Sequence, residues 1–230
     1  MTGVQTCALP ILLPFGLHHI PNNLVWTSAV GGTCTENGIT SEGDQACFFH
    51  GDPHAGVFMT GFFPIMMFAL PAAALAITRC ARPEKRKMIG GIMLSAALCS
   101  ALTGVTEPIE FAFLFAAPGL FVIHALLTGC SMALCNALGI HDGFSFSAGL
   151  IDYVFNFDIA TKPLLIIPIG LGFAAVYYAL FTFAIKRFNI MTPGREPDEE
   201  PAASGTSPEP SPSPTPEATP EASPSPGRVP

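Results

Sequence analysis

The chain has 230 residues, of which 50% are apolar and only 12% charged. Soluble domains carry about 25% charged residues, so the composition excludes an ordinary soluble fold and points to a membrane. The net charge of −7 and the lack of a basic, aromatic-interleaved surface argue against nucleic acid, and seven cysteines without CxxC pairs or Cys/His spacing give no sign of a metal or cofactor site.

The chain opens "MTGVQTCALPI", with no basic start, cleavage site or periodicity. The string resembles a translated sequencing-library adapter, so residues 1–11 are expected to be a non-native leader. From Leu12 the sequence reads consistently. Leu12–Val30 is apolar but interrupted by Pro14, Pro21 and the run "GLHHIPNN". His18 and His19 inside that stretch can donate to hydroxyls or accept a proton. One packed and one interfacial histidine is the plainer reading, and neighbours on different helix faces argue against a metal.

Thr33–Ala55 reads as a polar connection. Cys34 and Cys47 lie in it, and a disulfide is possible in an oxidising compartment. Nothing in the spacing fixes their distance, so two free thiols is the plainer reading. In "HGDPHAG", Asp-Pro after Gly is a turn signal. His50, Asp52 and His54 either line a cavity mouth or serve that turn, and the turn is favoured.

Gly56–Thr78 has no charge and is long enough to cross a bilayer, where roughly 20 apolar residues suffice. "RCARPEKRK" then gathers five of the ten basic residues, and Lys186–Arg187 follows the last apolar run. Both read as cytoplasmic by the positive-inside rule. An even number of crossings must separate them. Phe111–Ala137 and Leu164–Ile185 supply two, provided Met88–Thr106 and Phe144–Phe157 do not fully cross. Irregular backbone at membrane depth must be buried in protein or line a cavity. The fold class expected is therefore an all-α, multi-span membrane protein with broken or re-entrant helices around a cavity.

"GVTEPIEF" lies between two of the apolar runs. Pro108 biases Glu107 away from helix, so the chain is predicted to break there and present Thr106 and Glu107 at a helix end. A carboxylate at membrane depth is costly and functional by default; a loop glutamate in water at the membrane surface is the alternative, and the functional reading is favoured. The carboxylate can accept two hydroxyl hydrogen bonds, as a sugar offers, strengthened by its charge. Glu110 backs up the turn. In "GIHDGFSFSAGLIDY" the small residues suit close helix approach, and His141, Asp142 and Asp152 read as structural. From Pro193 the Pro/Ser/Glu-rich sequence cannot bury enough apolar surface to order itself, so residues 193–230 are expected to form a disordered tail.

Together, "GLHH", "GDPHAGVFMTGFFPIMMFALPAAALAI", "GGIMLSAALCSALTGVTEPIEFAFLF", "HALLTG", "GFSFSAGLIDY" and "FNIMTPGRE" resemble, in order, the membrane IIC domain of bacterial sugar phosphotransferase permeases. The glucose/N-acetylglucosamine branch fits best, and within it the N-acetylglucosamine permeases. The resemblance covers Leu12–Glu196 and implies a C-terminal part of that domain over residues 12–192. It implies a permease in the plasma membrane, with the C-terminal tail cytoplasmic. N-acetylglucosamine or glucose would be imported and phosphorylated on its 6-hydroxyl by a phosphocysteine of a IIB protein. It places Glu107, Thr106, Glu110, His18, His19 and Asp52 at the sugar, and gives no catalytic residue to this chain. No IIB domain is recognisable after "TPGRE", so IIB is expected as a separate polypeptide, and enzymatic activity only within the complex. Several N-terminal spans of the family, including those that carry the dimer contact, have no counterpart here. The full-length protein is expected to be a homodimer, and this chain is expected not to transport alone. From the residues themselves, an ion-coupled secondary sugar transporter with broken helices and a buried carboxylate is the alternative.

Overall fold

The computed structural model describes Leu17, residues 19–36 and residues 38–196, without the side chain of Glu36. The expected leader at residues 1–11, His18 and residues 197–230 of the expected tail lie outside the described residues.

Helix α1 (His19–Trp26) leads into a two-stranded antiparallel hairpin, β1 (Thr33–Glu36) and β2 (Ile39–Glu42), and then the short α2 (Asp44–Phe49). The hairpin departs from the expected all-α fold. Cys34 and Cys47 join β1 to α2 as a disulfide, with Cα atoms 5.7 Å apart, which replaces the free-thiol reading. Asp44 fastens the next turn, its two carboxylate oxygens accepting the Gly56 and Phe58 N–H groups at 2.8 Å each.

Among the described residues, three helical segments are long and apolar enough to cross a membrane: α3 (Phe62–Cys80), α6 (Pro118–Ala137) and Pro163–Arg187, which is mostly α8 (Ile166–Arg187). α3 contains a π-helical stretch, Ile65–Ala69, just ahead of Pro71. Proline lacks the N–H that an α-helix directs four residues back, so the ladder loosens there. Ser100 of α4 (Pro83–Thr103) donates to the Met66 carbonyl at 2.6 Å, satisfying a group of the irregular stretch. α3 and α6 approach closely: a Cβ on Gly61 would lie 2.3 Å from the Met132 Cα.

α4 starts with Pro83 in its first turn and ends on Gly104, whose φ of 74° is the left-handed cap that glycine adopts without strain. The short α5 (Glu107–Leu114) follows, and α7 (Leu150–Phe155) lies on the connection between α6 and α8. The sequence places one apolar run over Phe111–Ala137, whereas the chain breaks again around Phe115–Ala117 before α6. Met88–Thr106 falls mainly within α4, which is not among the three candidate spans.

Two apolar cores form. One gathers the basic end of α3 with α4, α5 and the last turns of α8, around Ile77, Phe113 and Phe181. The other lies beneath the hairpin, around Phe48, Phe63, Met132 and Phe144. Leu164, Leu171, Val176 and Phe183 on the third of these segments are exposed, which would suit contact with hydrocarbon. Composition places a boundary at residue 192, but the fold continues to Glu196. Arg195 donates to the carbonyls of Ile190 and Cys80, and Arg82 N–H donates to the Gly194 carbonyl at 3.0 Å.

Candidate functional site

A cavity of about 320 Å³ lies where the two cores meet. α3 contributes Phe62, Ile65, Met66 and Leu70, from the hairpin-side half of that helix. α1 adds His19, Asn22 and Trp26, and the 144–147 loop adds Phe144, Phe146 and Ser147. The break between α4 and α5 supplies Gly104, Val105, Thr106 and Glu107, with Glu110 one turn further on. His124 and Thr128 of α6 close the wall.

The break is positioned by small residues. Ser147 Oγ donates to the Gly104 carbonyl at 3.0 Å, and a Cβ on Gly104 would meet that Oγ at 2.5 Å. Thr106 stands at the N-cap of α5, its side chain makes no capping hydrogen bond, and it lines the cavity. Glu107 opens the helix, where the dipole favours negative charge. The 144–147 loop hangs on Asp152, which accepts the Ser145 N–H at 2.9 Å and the Ser145 hydroxyl at 2.7 Å. Trp26 meets Phe144 edge to face at 5.1 Å between centroids.

Two acceptors on this wall stand out. Glu110 Oε2 and Asn22 Oδ1 are buried without a hydrogen-bond partner among the described residues. Leaving such an oxygen unmatched costs about 1–3 kcal/mol. Donors from a ligand remove that cost. The wall thus combines acceptors, hydroxyls and aromatic faces, the mixture that recognises a small polyhydroxylated molecule. No grouping of three His, Cys, Asp or Glu able to hold a metal occurs among the described residues.

Of the residues singled out from the sequence, Thr106, Glu107, Glu110 and His19 meet at this cavity. Asp52 does not line it: its Oδ1 accepts the His54 N–H at 2.9 Å, the chemistry of a turn. His141 donates to or accepts nothing at the cavity either; its Nδ1 lies 2.9 Å from the Pro53 carbonyl, joining two loops. Sequence reasoning missed Asn22, Trp26 and Ser147. It also gave no role to His124, whose Nε2 lies 3.6 Å from Glu110 Oε1. A histidine within an otherwise apolar span was the available signal.

Comparison with known proteins adds an independent line. Residues 1–129 match the family model described as "Phosphotransferase system, EIIC". The chain is 57% identical over 188 residues to a PTS system N-acetylglucosamine-specific EIIC component of Streptomyces coelicolor, covering 82% of this chain and 45% of that protein. It is 53% identical to an N-acetylglucosamine-specific EIICB component of Bacillus subtilis, covering 82% and 40% respectively. With an N-acetylglucosamine-specific EIICBA component of Escherichia coli the identity is 48%, over 82% of this chain and 30% of that one. The chain spans less than half the length of these relatives.

Proposed function

The chain belongs to the phosphotransferase system EIIC family, and from that premise we propose that it forms the sugar-binding part of an importer of N-acetylglucosamine. The observation that carries this reading is the convergence of Thr106, Glu107, Glu110 and His19 on one cavity with aromatic walls. Its 320 Å³ stands near the lower end of small-molecule sites, roughly 300–1,000 Å³, which suits one sugar ring. Glu107 accepts sugar hydroxyls, Thr106 and His19 supply further polar contacts, and Trp26 offers an aromatic edge to the apolar faces of the ring. His18 belongs to the same reading by resemblance.

Phosphoryl transfer in this scheme uses a IIB phosphocysteine. The sugar 6-hydroxyl oxygen bonds to phosphorus, the S–P bond breaks, and the hydroxyl proton ends on the released thiol. Such transfer depends mainly on positioning and charge stabilisation, and the cavity's part is positioning. The relatives from Bacillus subtilis and Escherichia coli carry B or BA in their names, in keeping with a IIB partner.

Topology follows two signals at opposite ends of α3. The disulfide hairpin precedes its start and suits the oxidising outer side, whereas Arg79, Arg82, Lys85, Arg86 and Lys87 cluster at its end and suit the cytoplasm. Lys186, Arg187 and Arg195 carry the same sign, and the Arg195 contact to Cys80 brings its end of the chain to the basic end of α3, which supports a cytoplasmic end for α8. The α4–α5 pair is then re-entrant, with Gly104–Thr106 as its tip. Assembly of the full-length protein as a homodimer belongs to the same reading.

The test is binding of N-acetylglucosamine to the chain in lipid nanodiscs, followed by isothermal titration calorimetry. Glu107→Gln should weaken binding about 10- to 100-fold, the range for losing a hydrogen bond to a charged group. Unchanged affinity in that variant would remove Glu107 from the site. Uptake of unmodified sugar without any phosphoryl donor would overturn the transport reading.

A further inference from the structure

Glu110 stands at the end of a chain of side chains from three helices. Its own helix is α5; Oε1 faces His124 Nε2 of α6 at 3.6 Å; and His124 Nδ1 lies 3.0 Å from the Tyr177 hydroxyl of α8. All three side chains are buried. The imidazole is fenced by Phe113 and Phe121, with ring centroids at 5.8 and 5.9 Å, so it has little room to turn. One carboxylate oxygen thereby faces the histidine, while Oε2 is buried without a hydrogen-bond partner among the described residues, and Glu110 is one of the residues that line the cavity.

We propose that His124 and Tyr177 are positioning residues that aim Glu110 Oε2 at a single hydrogen-bond donor of the sugar, making this corner a specificity subsite. The proposal rests on the sugar-binding reading above. The Tyr177 hydroxyl has two acceptors in reach, His124 Nδ1 at 3.0 Å and the His124 carbonyl at 3.4 Å, and in the proposed relay it donates to the nearer Nδ1. The ring proton is then on Nε2, the nitrogen that faces Glu110. The 3.6 Å separation is an ion-pair distance and not a formed hydrogen bond; such contacts commonly tighten when the ligand enters.

The consequence is discrimination. A site built to receive a donor rejects an analogue lacking it, because its buried acceptor is left unmatched. A relay that merely filled space would lower affinity for every sugar alike. A relay that aims one oxygen changes the ratio for one analogue only.

The experiment measures binding of N-acetylglucosamine and its 3-, 4- and 6-deoxy analogues, and of glucose, to the full chain in nanodiscs. The parent should disfavour one of these by about tenfold or more. Tyr177→Phe and His124→Leu should shrink that one ratio to within about threefold and leave the others unchanged. His124→Gln, whose amide carries an N–H to the Nε2 position, should retain it even if the tyrosine variant folds poorly. Equal weakening toward all sugars in the relay variants, no change in any of them, or a parent with no discriminated analogue overturns the proposal. A parent that binds none of the sugars overturns the sugar-binding reading itself, whereas Glu107-dependent binding with a uniform relay effect overturns the relay alone.

Discussion

Gln45 Nε2 donates to the Phe144 carbonyl at 2.8 Å, across 99 residues of sequence. The first residue belongs to the disulfide-stapled cap and the second to the cavity wall. The cap therefore acts on the cavity through a backbone carbonyl. Asp44 beside it fixes the turn that leads into α3. Anything that loosens the cap is felt at Phe144 and at Trp26, which packs on it.

The disulfide closes a loop with a sequence separation of 13. Loops of that size are worth about 3 kcal/mol by chain entropy, with wide scatter. Cys34→Ser with Cys47→Ser should speed amide exchange over the hairpin and lower the melting temperature. Thiol counting tests the pairing directly: the denatured parent, with seven cysteines, should label two fewer without reductant than with it. Equal labelling would show that the pair does not form.

Gly104→Ala should damage the site more than the fold. Its φ of 74° disfavours any side chain, and the new Cβ would press on Ser147 Oγ at 2.5 Å and Ala148 N at 2.9 Å. Strain of this kind costs about 1–3 kcal/mol. Relief by shifting the 144–147 loop displaces the break that presents Glu107, so affinity for N-acetylglucosamine should fall with only a modest melting shift. Gly91→Ala, with nothing within 4 Å of the added Cβ, is the contrast and should be neutral or stabilising. If the two variants bind sugar alike, Gly104 does not set the site.

Much of this site was legible because its pieces are local. Thr106, Glu107 and Glu110 are close neighbours in sequence, and Pro108 marks a chain break, so the motif alone predicts Thr106 and Glu107 at a helix end with Glu110 behind them. His124 and Tyr177 were not legible: they come from separate helices, and only packing brings them together. The hairpin was missed although "TCTENGITSE" carries a signal for it. Asn-Gly between two four-residue β-prone runs favours a two-residue turn. Reading the segment as a polar connection hid that pattern, and with it the reason Cys34 and Cys47 meet.

Asp142 gives the fold a pH dependence of definite sign. It lies on the connection between α6 and α8, fully buried, with Oδ1 accepting the Gly143 N–H at 2.9 Å. Burial pushes its carboxyl up from 3.8 to about 8; the Gly143 N–H opposes this and Asp152 adds to it. Between those values the folded chain holds a proton that the unfolded chain has lost. The resulting stability is complete below about pH 4 and is lost as pH rises through about 8. Melting temperature should thus fall from pH 5 to pH 9, and Asp142→Asn should flatten the slope. Asp44, also raised by burial, leaves a residual slope of the same sign. An unchanged slope in Asp142→Asn would mean that the carboxyl is ionised throughout.

Arg195 ties the end of the described chain to the basic end of α3. Its Nε donates to the Ile190 carbonyl at 3.0 Å, Nη1 to the Cys80 carbonyl at 3.1 Å, and Nη2 to Asn189 Oδ1 at 2.6 Å. A planar guanidinium can serve three acceptors in fixed directions; an ammonium on a flexible stem cannot. Arg195→Lys should therefore behave almost like Arg195→Ala, each costing about 2 kcal/mol locally because charge-assisted bonds are lost. The clasp also covers its surroundings, and Cys80, only 7% exposed, is the natural reporter. Maleimide should label Cys80 several-fold faster in both variants, with sugar affinity unaffected because the cavity lies at the other half of α3. Equal labelling rates in parent and variants would show that the three hydrogen bonds do not hold this corner closed. Rescue by lysine would show that charge matters there and the fork does not.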